Sequence, residues 1–248
     1  MFPIRVRTFE DPKLNPGLIM NDFKPISHVI LNVCLMPDET DSEGKQFNQS
    51  IVDVSEKLNA LTPSEYLVNN RPNASIDSWA HCSVIHARVP NDAGTMASLT
   101  KALESVMGET LNVRVARLAS LKAKAFIRNA LIAGDKTNSW RGSDMYWSYV
   151  EKSPELLALQ ERIAALLMEV VGKDALITPR GEGYNPHFTL WIRFSGQNDL
   201  VPEVQEKMPQ KPIPCCVRLG NCGPIGQVRN FVDKAKKLAE LIAIPLEA

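Results

Sequence analysis

Two segments of this chain set a histidine two residues before a side-chain hydroxyl within an otherwise apolar run. They are Ala80-His81-Cys82-Ser83-Val84-Ile85 and Pro186-His187-Phe188-Thr189-Leu190-Trp191, and the whole chain holds only four histidines. In a strand, residues i and i+2 share a face. His81 and Ser83 are therefore expected to point one way, as are His187 and Thr189. Cys82, Val84, Phe188 and Leu190 turn toward a core behind. Each strand then presents an imidazole beside a hydroxyl.

Such a set suits cleavage of a phosphodiester. One group must take a proton from the attacking oxygen and another must give one to the leaving oxygen. Histidine, with a reference pKa of about 6.5, does either near neutrality. Ser83 and Thr189 can donate to the non-bridging phosphate oxygens. If two histidines carry the protons, no metal or cofactor is required. Metal ligation by His81, Cys82 and His86, or by Cys215, Cys216 and Cys222, lacks a Cys-x₂-Cys pair, and neighbouring strand residues point to opposite faces. By the same alternation His86 stands at opposite parity to His81 and is expected to face away from the site as a structural residue. Trp79, two residues before His81, is a candidate to stack on a base at the site rim. Tyr184, in the loop before His187, is a second candidate for substrate binding. Arg180, with Arg88 and Arg193, could aid a phosphate, although a single arginine is more often a solvated charge.

The elements that position these residues read as follows. His28–Met36 is an expected strand, and 38–45 a loop containing Gly44. Phe47, Ile51, Val54, Leu58 and Leu61 mark one face of a helix. Segment 62–78 is loop-like, and Trp79–Val89 is the strand of the first motif. Asp92 caps a helix carrying Met96, Leu99, Leu103 and Val106, with Gly108 at its end. Residues 111–117 and 122–132 are expected strands, paired antiparallel. Ser153-Pro154 opens a long helix bearing Leu156, Leu159, Ile163, Leu166 and Val170, and Gly172 ends it. A short strand at 175–178 and a turn-rich loop at 180–186 lead to the strand of the second motif, His187–Phe194. Residues 212–219 form another strand and 220–226 a glycine-rich turn. Val228, Phe231, Val232, Ala235 and Leu238 suggest a final helix. Strands interleave with helices but also follow one another, which makes the class α+β rather than a strict parallel α/β repeat.

Composition narrows the partners. Lysine plus arginine equals aspartate plus glutamate, 28 each. With no global basic field, long double-stranded nucleic acid is not an expected partner, whereas a compact anion needs only a local site. Apolar residues make up 44% and charged residues 23%, ordinary for a soluble globular chain. No apolar run reaches membrane-span length and the N-terminus lacks a signal-peptide core. A cytoplasmic monomer with free cysteines is expected.

The two motifs, and the strand and helix order around them, resemble the two-histidine (2H) phosphoesterases. That group includes cyclic nucleotide phosphodiesterases, RNA 2′,3′-cyclic phosphodiesterases and 2′,5′-oligoadenylate phosphodiesterases. The resemblance rests on His81/Ser83 and His187/Thr189, Ser83 standing where threonine is commoner, and runs from about residue 28 to 243. It implies two pseudo-symmetric lobes, each an antiparallel sheet flanked by helices, around a central cleft. The lobes would be about 28–132 and 153–248, joined by 133–152 and preceded by an extension at 1–27 draped on the fold. It also implies a metal-independent hydrolase acting on a cyclic nucleotide or short oligonucleotide, with His81 and His187 as catalytic acid and base. A non-catalytic nucleotide-binding module on the same fold, or an RNA end-joining enzyme, are the alternatives. The residues do not choose among 2′,3′-cyclic phosphates, 2′,5′-oligoadenylates and cyclic oligonucleotides.

Overall fold

A computed structural model describes residues 28–60, 80–122, 144–193, 208–222 and 228–232. The expected extension at 1–27, the loop at 62–78 with Trp79, the strand beyond Lys122, the turn after Cys222 and the chain beyond Val232 lie outside these residues.

Strand β1 (His28–Pro37) is followed by helix α1 (Ser42–Ala60), strand β2 (Cys82–Pro90) and helix α2 (Ala93–Leu103). Then come β3 (Thr110–Val113), β4 (Val115–Lys122), β5 (Asp144–Val150) and helix α3 (Pro154–Val171). Strands β6 (His187–Arg193), β7 (Ile213–Cys222) and β8 (Val228–Val232) complete the order. The class is α+β as expected. The strands form one sheet, ordered β3-β7-β1-β2-β6-β5-β4, with β8 also on β7. Each pairing is antiparallel. No helix among the described residues is long and apolar enough to cross a membrane.

Helices α2 and α3 start where capping predicts, although α2 ends at Leu103, short of the expected Val106 and Gly108. Asp92 accepts a hydrogen bond from the Thr95 amide at 2.8 Å, satisfying an amide that the first turn leaves without a partner. Ser153 does the same for Leu156 at 3.2 Å, with Pro154 opening α3. Gly172, at φ 79°, ends that helix. The stripe Leu156, Leu159, Ile163 and Leu167 is buried, together with Met96, Leu99 and Leu103 of α2. Phe47 and Ile51 of α1 are buried as well, and Phe47 packs edge-on against Phe188 with ring centroids 5.3 Å apart.

Five elements differ from expectation. Gly44 lies inside α1 rather than in a loop, and the chain passes so close there that a Cβ would meet the Asp38 carbonyl oxygen, which only glycine avoids. Segment 111–117 is not one strand: Arg114 divides it, and β3 pairs with β7 while β4 pairs with β5. A single residue thus joins strands at the two ends of the ladder, so the sheet must curve until those ends meet. Segment 133–152, expected as a connection, holds β5, whose Met-Tyr-Trp-Ser-Tyr-Val run is rich in strand formers. Residues 175–178 hold the last residue of a 3₁₀ turn (Lys173–Ala175) and one bridge, Leu176 to Ala87, rather than a strand. Val228–Val232 is a strand on β7 and not a helix, since a short apolar run fits either period.

Candidate functional site

The two motifs meet where β2 and β6 pair at the middle of the sheet. Cys82 stands opposite Phe188, and both are fully buried, on the face that Phe47 covers. The flanking positions belong to the other face. One step along each antiparallel strand sets Ser83 across from His187 and His81 across from Thr189. Directly opposed residues hold their Cβ atoms about 4.5–5.5 Å apart. Each histidine therefore faces the hydroxyl position of the other motif. His81, Ser83 and His187 are half-buried.

Both strands carry an irregularity one residue past the hydroxyl. On β2, Cys34 pairs with Ser83 and Val33 with Ile85, so Val84 is skipped. On β6, Trp147 pairs with Thr189 and Tyr146 with Trp191, so Leu190 is skipped. A bulge inserts one residue and reverses the alternation beyond it. This corrects the expectation for His86. Strict alternation turns its side chain away from Ser83, but the bulge at Val84 returns it to Ser83's face. The His86 Nε2 lies 3.5 Å from Ser83 Oγ, and His86 pairs across the ladder with Asn32.

A polar network surrounds Ser83. Asn32, fully buried, donates from Nδ2 to Ser83 Oγ at 2.9 Å. Thr178 Oγ1 accepts the His86 backbone N–H at 2.8 Å and lies 3.0 Å from ring Nδ1. The Ile177 amide donates to the His86 carbonyl at 2.8 Å. Gln160, buried on α3, donates from Nε2 to the carbonyls of Val84 and Pro179, each at 3.2 Å. One side chain thus serves both the bulge and the loop that brings Thr178 to His86. Asn32, His86, Thr178 and Gln160 are the residues that sequence reasoning missed. The buried glutamine within α3's apolar stripe is the signal that could have drawn attention to a carbonyl in need of a donor.

Electrostatics divide the histidines. Burial, then the charges of His81 and His187, push His86 down to about 4, so it is neutral near pH 7. Burial lowers His187 as well, against a hydrogen bond to the Asn185 carbonyl that acts the other way. That bond, 2.7 Å from Nδ1, fixes the tautomer. A carbonyl only accepts, so Nδ1 carries the hydrogen and Nε2 holds the lone pair in the neutral ring. A neutral imidazole with its lone pair on Nε2 is equipped to take a proton.

The remaining expected site residues divide. Tyr184 does not line a rim: it is 1% exposed, and its hydroxyl donates to the Ser83 carbonyl at 3.0 Å. It anchors the motif strand from the core. Arg180 is exposed and bound to Glu161 of α3 at 3.0 Å. Thr189 is placed by the backbone of β6, and Arg88 is exposed on β2. Tyr149 pairs with His187 across β5 and β6, which sets it on the site's face. Arg218, opposite Cys34 and half-buried, is on that face two strands from Ser83. Burial pushes the Cys82 thiol up to about 12, and Cys215 and Cys216 are raised too, so all three stay protonated. No protein-family model matches the chain, and no curated protein matches its sequence.

Proposed function

We propose that this protein is a metal-independent phosphodiesterase of the two-histidine kind, acting on a cyclic nucleotide or a short oligonucleotide. The observation that supports it most is the crossing of β2 and β6, with each motif histidine opposite the other motif's hydroxyl position. A phosphate between the two strands would have a proton acceptor on one side and a proton donor on the other. The finer architecture belongs to this reading: two lobes about a central cleft, with β2-β1-β7 on one side of the β2–β6 pairing and β6-β5-β4 on the other, so that each lobe draws strands from both halves of the chain rather than dividing at 133–152.

His187 is the base in this scheme. Its Nε2 takes a proton from water as the water oxygen bonds to phosphorus. The bond from phosphorus to the leaving oxygen breaks, and His81, entering as the imidazolium, gives its proton to that oxygen. The product is a phosphomonoester and a free hydroxyl. His187 leaves the step charged and His81 neutral, and exchange with solvent restores both. Ser83 and Thr189 hold the non-bridging oxygens, where negative charge builds.

The test is a screen of 2′,3′-cyclic nucleotides, 2′,5′-linked oligoadenylates and cyclic oligonucleotides in EDTA, with products read by mass. The expected result is a monoester product from at least one class, at a rate unaffected by EDTA. Loss of turnover on chelation that one divalent ion restores would sink the two-histidine mechanism. Tight nucleotide binding without turnover would replace the enzyme with a binding module.

A further inference from the structure

We propose that His86 is a positioning residue for Ser83: together with Asn32 it fills the acceptor side of the Ser83 hydroxyl, so Ser83 presents its proton to a phosphate oxygen. The inference rests on the phosphodiester reading only for the identity of the anion.

A serine hydroxyl has one hydrogen to give and two lone pairs to fill. Asn32 Nδ2 donates to Ser83 Oγ at 2.9 Å. On its other side stands His86 Nε2 at 3.5 Å. The direction of that second contact depends on which ring nitrogen carries the hydrogen, and Thr178 points to one assignment. Its Oγ1 already accepts the His86 backbone N–H. Its own O–H is then available to the ring nitrogen 3.0 Å away, Nδ1. With Nδ1 accepting, the hydrogen of the neutral ring sits on Nε2 and points at Ser83. Both lone pairs of Ser83 Oγ are then occupied. Among the described residues, Asn32 and His86 are its side-chain partners, and both act as donors. The Ser83 proton is then left for an acceptor on the open side of the hydroxyl, the side shared with His187 across the ladder. Asn32 is buried, Gln160 holds the Val84 bulge and the Pro179 carbonyl, and Tyr184 holds the Ser83 carbonyl. The arrangement is thus set before any ligand arrives. Burial and the neighbouring histidines keep His86 neutral, so its ring carries a single hydrogen to aim.

The second motif lacks this device. The matching bulge at Leu190 leads to Ile192 where β2 has His86. Ile192 pairs with Met145, as His86 pairs with Asn32. The two hydroxyls are therefore not equivalent. Ser83 is the committed donor, and the polar half of the site is the half built on β1 and β2.

Imidazole ¹⁵N NMR of the full chain tests the tautomer without any need for turnover. At neutral pH, His86 is expected to carry its hydrogen on Nε2, with Nδ1 unprotonated. Binding of inorganic phosphate, followed through the His187 ring signals, tests the consequence. His86→Leu should weaken phosphate roughly fivefold to tenfold, the net worth of one hydrogen bond. His86→Gln, whose amide N–H can reach Ser83 Oγ, should restore affinity to within about twofold of wild type. In a Ser83→Ala background, His86→Leu should cost nothing more. A hydrogen on Nδ1 of His86, no phosphate binding by the wild-type chain, or an equal loss with and without Ser83 overturns the proposal. If His86→Leu does not fold, the wild-type tautomer and the glutamine variant decide. The tautomer and coupling found in a chain that turns over no nucleotide would refute the phosphodiesterase and leave this assignment standing.

Discussion

Acidification should destabilise this fold through His86. Its folded value is about 4 against 6.5 for the free side chain. Between those two pH values the unfolded chain takes up a proton that the folded ring refuses. The stabilisation is therefore complete above about pH 6.5 and is lost as pH falls toward 4. At about 1.36 kcal/mol for each pH unit between the two values, the full loss is about 3 kcal/mol. That is a large part of the 5–15 kcal/mol that holds an ordinary domain together, as an order of magnitude. His187, also lowered by burial, adds in the same direction. Asp38, lowered by its hydrogen bonds to Thr40, acts below its ordinary value of 3.8 and so outside this window. Urea unfolding at steps from about pH 7.5 to 4.5 measures the slope. His86→Gln removes the titrating ring and should flatten that slope by up to one proton. An identical slope in both proteins, or an NMR titration of His86 near 6.5, would refute the burial argument and the placement of His86 beside the other two histidines.

Replacing His81 or His187 with alanine should each lower kcat by about 10²–10⁴, and Ser83→Ala by less, in initial-rate assays. The rate should follow a bell-shaped pH profile whose acid limb lies below the ordinary histidine value, because burial depresses His187. Gly44→Ala should destabilise by about 1–3 kcal/mol despite alanine's better helix propensity, since the added methyl meets the Asp38 carbonyl oxygen. An unchanged thermal midpoint would show that the Asp38 turn yields freely. Gln160→Leu should cost about 1–3 kcal/mol in chemical denaturation, by leaving two carbonyls without their donor. It should also blur the His86 tautomer, and a variant as stable as wild type with an unaltered His86 signal would remove Gln160 from the site's support.

Helices were the most legible part of the sequence. Asp92, Ser153-Pro154 and Gly172 each sit where capping chemistry requires them, and the apolar stripes of α2 and α3 face the core as their spacing predicts. The β1, β2, β6 and β7 strands were legible as apolar runs. What failed depended on pairing. Nothing local to Arg114 tells a reader that the chain leaves one end of the sheet for the other, and β5 and β8 are short segments whose state the neighbouring strand decides. The candidate site divides in the same way. Alternation placed His81 with Ser83 on one face, but it misplaced His86, because a bulge is a relation between two strands and leaves no mark on one. Tyr184 misled for a related reason: a loop tyrosine suggests a rim, whereas this one sends its hydroxyl inward to the Ser83 carbonyl.

The Val84 bulge also accounts for why a buried glutamine belongs on α3. An extra residue in an antiparallel ladder leaves a carbonyl out of register, and a buried carbonyl without a donor is costly. Gln160 supplies the donor, and the same amide reaches the Pro179 carbonyl beside Thr178. The loop after α3 is thereby tied to the strand it must serve, and Thr178 is delivered to His86. The helix cap, the bulge, the loop and the imidazole form one chain of dependence: Pro154 starts α3, α3 places Gln160, Gln160 holds Val84 and Pro179, and these bring Thr178 to His86 and His86 to Ser83. At the matching bulge on β6 the cross-strand pair is Met145 with Ile192, so the local skeleton repeats while the polar cargo does not. In the proposed phosphodiesterase, two halves that share a backbone but differ in hydrogen-bonding capacity would hold a substrate in one orientation. One orientation is what the proposed division of labour between a basic His187 and an acidic His81 requires.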